Sequence, residues 1–138
     1  MAWYDELVER WKPSRGWRET FLPAVKRVAK KPADMKSWCE IVMMLGDTHA
    51  TELALIVCLH ARTLGGDQAQ LSSHLHLCLL DLGIASAPGP VPLRDPASAM
   101  TVNDEALAGW IREHLAPFDG DLSRAVAFVL KLARSKLA

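Results

Sequence analysis

Seven consecutive apolar residues, Leu53 to Leu59, lie between Glu52 and His60. A segment with no polar face must be surrounded on all sides, yet it falls far short of the roughly 18 residues that a membrane span needs. It is therefore expected to be the buried middle of a fold. Asp47 or Thr48 as a start and Gly65-Gly66 as a stop bracket about four turns, longer than a usual strand, so the segment reads as helix.

The rest of the chain supplies the surround. Trp3, Leu7 and Trp11 share one side of a first short helix, ended by Pro13 and Gly16. Ser14 can cap a second, with Trp17, Phe21, Val25 and Val28 on one stripe and Pro23 either kinking it or restarting it. Asp34 caps a third, which carries Met35, Trp38, Val42 and Leu45 and closes at Gly46. A fifth, from Asp67 to Leu82, aligns Leu71, Leu75, Leu79 and Leu82 and stops at Gly83. Helix resumes from Thr101 or Asn103 to Pro117, and again from Asp119 or Asp121 with Leu122, Val126 and Val129 inward. Between the fifth and sixth helices, residues 84–100 carry Pro88, Pro90, Pro92 and Pro96 and read as one long Pro-rich loop. The expected architecture is all-α, a compact bundle of six or seven helices forming one domain over residues 1–138.

Composition agrees: 138 residues, 50% of them hydrophobic, can bury a core without disulfides or metal. Three scattered cysteines and an acidic N-terminal segment, with no secretory pattern, point to a cytoplasmic protein.

Catalytic chemistry finds little to stand on. His74 and Cys78 share a helix face while His76 diverges, and zinc would need further ligands from His49, Cys58 or His60. The chain has no Cys-x-x-Cys, no His-Glu-x-x-His, no Gly-x-Ser-x-Gly and no phosphate-cradling loop. Asp47, His49 and Glu52 read as a cap and a first-turn dipole partner. The expectation is no catalytic residue, no metal and no cofactor. A metal enzyme built on His49, His60, His74 and Cys78 is the remote alternative.

Charge is more informative. The net charge is zero. Nine basic against six acidic residues make Met1–Leu45 +3, two against seven make Gly46–Glu105 −5, and five against three make Ala106–Ala138 +2. Arg18, Lys26, Arg27, Lys30 and Lys31 form one basic strip and Lys131, Arg134 and Lys136 a second cationic end. If packing joins them, the patch can neutralise several phosphates. The competing reading is lysines solvated at helix C-termini. Trp3 and Trp11 are candidate anchors for a protein partner, unless the first helix docks on its own bundle.

A small all-helical protein with basic strips on its terminal helices and no catalytic motif resembles the small subunits of CRISPR effector complexes. The resemblance implies a non-enzymatic subunit of an antiviral ribonucleoprotein. Its partners would be other protein subunits and stacked copies of itself, and Arg18, Lys26, Arg27, Lys30, Lys31, Lys131 and Arg134 would support RNA or single-stranded DNA. No membrane partner is expected. The alternative is an adaptor, immunity or anti-defence protein that caps one partner through Trp3 and Trp11 or through an acidic surface with Asp67, Asp81 and Asp95.

Overall fold

The computed structural model describes residues 2–90 and 96–138. Within them the apolar segment forms helix α4 (Thr51–Ala61), and every residue from Leu53 to Leu59 is buried. Around it lie α1 (Asp5–Arg10), α2 (Arg18–Lys30), α3 (Met35–Asp47), α5 (Ala69–Asp81), α6 (Asp104–Leu115) and α7 (Leu122–Leu137). Helix α4 packs against α3, α5 and α7, and α2 closes over α3. The described residues thus form an all-α bundle of seven helices around one apolar cluster.

Several boundaries follow from local side-chain chemistry. Asp34, Asn103 and Asp121 each accept from backbone N–H groups in the first turn of α3, α6 and α7. Ser14 does so for a short 3₁₀ turn, Arg15–Trp17, that leads into α2. Helix α2 runs through Pro23, which stands exposed in its second turn. Gly83 ends the fifth helix with φ of 73°.

Two expectations change. Gly46 does not close α3; the helix continues through it to Asp47, and the left-handed residue that follows is His49, with φ of 66°. Asp47 and Thr48 therefore do not open α4, which begins at Thr51 after Ala50 without a side-chain cap. The Thr48 hydroxyl instead donates to the Met44 carbonyl at 2.7 Å, closing α3 from its own side.

The long loop is also more ordered at its base than its composition indicates. Ala85–Ser86 (β1) and Thr101–Val102 (β2) pair antiparallel, Ala85 opposite Val102, and the Asn103 N–H continues the pairing to the Ile84 carbonyl at 3.0 Å. A 3₁₀ turn, Pro96–Ala99, precedes β2. Pro92 and Asp95 lie outside the described residues.

Candidate nucleic-acid interface

Residues 18, 22, 25, 26 and 30 follow the three- and four-residue spacing of a helix, so they share one face of α2. On α7, residues 131 and 134 do the same, and Ala138 caps the end of that helix one turn on. Packing brings the two faces together: Arg18, Leu22, Val25 and Lys26 from α2 and Arg134 and Ala138 from α7 line one groove of about 400 Å³. Its floor is Leu22 and Val25, partly and fully buried, while Arg18, Lys26 and Arg134 are exposed. Lys30 stands one turn beyond Lys26, and Lys131 one turn before Arg134, both exposed. Among the described residues, none of these five cations pairs with a carboxylate.

Arg27 does not belong to this face. Its guanidinium donates to Glu40 at 2.6 Å and, through Nε, to Ser37 Oγ at 2.8 Å. Ser37 in turn donates to Asp34 Oδ2 at 2.9 Å. The backbone N–H of Ser37, then its hydroxyl, hold the Asp34 carboxyl below its usual range. This chain of bonds ties α2 to α3, so Arg27 serves the fold. Lys31 follows the last residue of α2, exposed and without an ion pair among the described residues.

Both candidate tryptophan anchors turn inward. Trp11 is 2% exposed, and its indole N–H donates to Thr48 Oγ1 at 2.9 Å. That corrects the partner-anchor expectation for Trp11, because a side chain sealed in the core is not available to another protein. Trp3 is half-buried; its indole N–H donates to the His114 carbonyl at 2.8 Å, and its ring lies 4.7 Å from the His114 ring. The Lys136 ammonium caps a carbonyl of α1, that of Val8, at 2.6 Å. The first helix is thus docked on α6 and α7 of its own bundle.

The histidines and cysteines divide. His49, His74 and Cys78 line a second cleft, whereas His60 packs edge-on against Trp38 with ring centroids 5.6 Å apart. Among the described residues, no three His, Cys, Asp or Glu side chains are placed to hold a metal ion. All three cysteines are buried, and burial pushes the Cys39 thiol up to about 11. Of the acidic residues, Asp67 bonds the N–H of Ala69 just before α5, and Asp81 stands at the other end of that helix. Asp95 is not described.

Sequence reasoning missed the apolar floor. Leu22 belongs to no regular inward stripe, and Val25 reads simply as core. Only the approach of α7 turns these residues into the base of a groove. No described helix is long and apolar enough to cross a membrane. Compared with known protein families, curated proteins and solved structures, the chain matches none.

Proposed function

We propose that this protein is a non-enzymatic subunit of a larger nucleoprotein assembly and that the α2–α7 face supports single-stranded nucleic acid. The observation that carries this reading is the convergence of Arg18, Lys26 and Arg134 from opposite ends of the chain onto one groove, unpaired among the described residues. Cations left without carboxylates favour an external anion, and phosphates spaced along a strand can meet several of them in turn. The zero net charge of the chain keeps free binding weak, so the contact acts within an assembly held together by protein surfaces. This is also the role that likeness to the CRISPR small subunits implies.

The test is a salt series of fluorescence anisotropy with labelled single-stranded RNA. Replacing Arg18, Lys26 and Arg134 together by Ala should flatten the slope of log K against log salt by about 2, the effect of about three phosphate contacts on a single strand. Lys36→Ala on α3 should leave it unchanged. An unchanged slope in the triple variant, or no binding at low salt, would sink the reading and direct attention to a protein partner.

A further inference from the structure

The second cleft, about 350 Å³, opens between α3 and α5 and lies outside the basic face. Val42 and Met43 border it from α3, Leu77 and Cys78 from α5. Met43, 37% exposed, is the large hydrophobic side chain that the described surface leaves open, and it forms a pliable apolar lip. Gly46 belongs to the same wall. Its backbone is right-handed helix, and an added Cβ would meet nothing within 4 Å. Neither a turn nor a close approach demands glycine here, and glycine weakens a helix interior relative to alanine. What its bare backbone supplies is width.

Beside the imidazoles of His49 and His74, the permanently charged lining has one sign. Asp47 and Asp81 border the cleft, no Lys or Arg does, and neither carboxylate has an ion-pair partner among the described residues. Asp81 is oriented by the Thr51 hydroxyl, which donates to Oδ2 at 2.7 Å. His74 adds a half-buried imidazole whose pKa burial lowers, against the pull of Asp47. Apart from Val42 and Met43, the lining comes from the stretch of sequence whose net charge is −5, seven acidic residues against two basic.

We infer that the cleft binds a small organic ammonium ion, with its apolar body on Val42, Leu77 and Cys78 and its charge met by Asp47 and Asp81. An apolar lining with a few polar groups beside it is the common form of a small-molecule site. The carboxylates select a cation over a neutral molecule of the same shape. The inference is independent of the nucleic-acid reading.

The probe is 2-phenylethylamine, titrated into the full chain and followed by backbone amide shifts, with 2-phenylethanol as the neutral comparison. Saturable shifts confined to residues 42–51 and 74–81 are expected from the amine, and binding by the alcohol should be weaker by about threefold, the scale of an ion pair at exposed carboxylates. The Asp47→Asn/Asp81→Asn double variant keeps side-chain size and the acceptor for Thr51, and should lose the same factor. Gly46→Leu, checked for folding by circular dichroism, should abolish binding by filling the cleft. Equal binding of amine and alcohol, full affinity in the double variant, shifts spread elsewhere, or no saturation by tens of millimolar would each overturn the inference.

Discussion

His60 and His74 lose hydration when the chain folds, and their pKa values fall below the ordinary 6.5, for His74 against a smaller opposing effect of Asp47. As the pH falls through about 6.5, the unfolded chain takes up protons that the folded chain refuses. Stability from these two groups is therefore complete above that point and declines as the pH drops toward their folded values. Asp34 acts in the same sense but lower: its pKa is depressed from 3.8, so its contribution survives until the carboxylate range. Urea midpoints measured from about pH 7 to about pH 5 should fall in the native protein. They should fall less in a His60→Gln/His74→Gln variant, and an equally steep decline there would acquit the histidines. Adjacent residues can also part ways, as Lys26 and Arg27 do. They stand about 100° apart on α2, one facing the groove and the other bonded to Ser37 and Glu40. A basic run in the sequence carries no sign of that division, because the deciding partners sit on another helix.

At the scale of the element, α3 offers the sharpest test. Its interior glycine has open space where a side chain would begin, so Gly46→Ala should raise stability by about 0.5–1 kcal/mol in chemical denaturation. A loss would mean that the wall of the second cleft is tighter than the backbone shows. The same glycine marks a limit of sequence reading. Asp34 was legible as a cap, and Asn103 and Asp121 each as one of two candidates, because a cap bonds its own next few residues. Gly46 looked like a terminator on the usual preference, yet the chain turns left-handed at His49. The ladder of Ala85–Ser86 with Thr101–Val102 was hidden for another reason: two-residue strands carry no periodicity. Trp11 was left between core and interface until Thr48 came within hydrogen-bond distance of its indole.

For the whole molecule, burial is uneven. Helix α4 is enclosed, whereas α6 buries only Leu115 and rests on half-covered Leu107, Trp110 and Ile111. Amide hydrogen exchange should therefore show α4 opening only with global unfolding and α6 opening first among the longer helices. Equal protection of α4 and α6 would contradict this order. The central helix was legible because its composition alone demands enclosure. The basic groove was not, since Arg18 and Arg134 meet only through the docking of α7. One consequence of the paired base of the proline-rich segment concerns change over time. Ala85 and Val102 are fastened to each other, and α6 starts directly after them. Material gained between β1 and the Pro96–Ala99 turn, which packs on α5, need not move the bundle, since each doubling of loop length costs only about 0.6 kcal/mol. That stretch is where this protein can acquire new sequence, or accept an inserted label, while its helices stay in place.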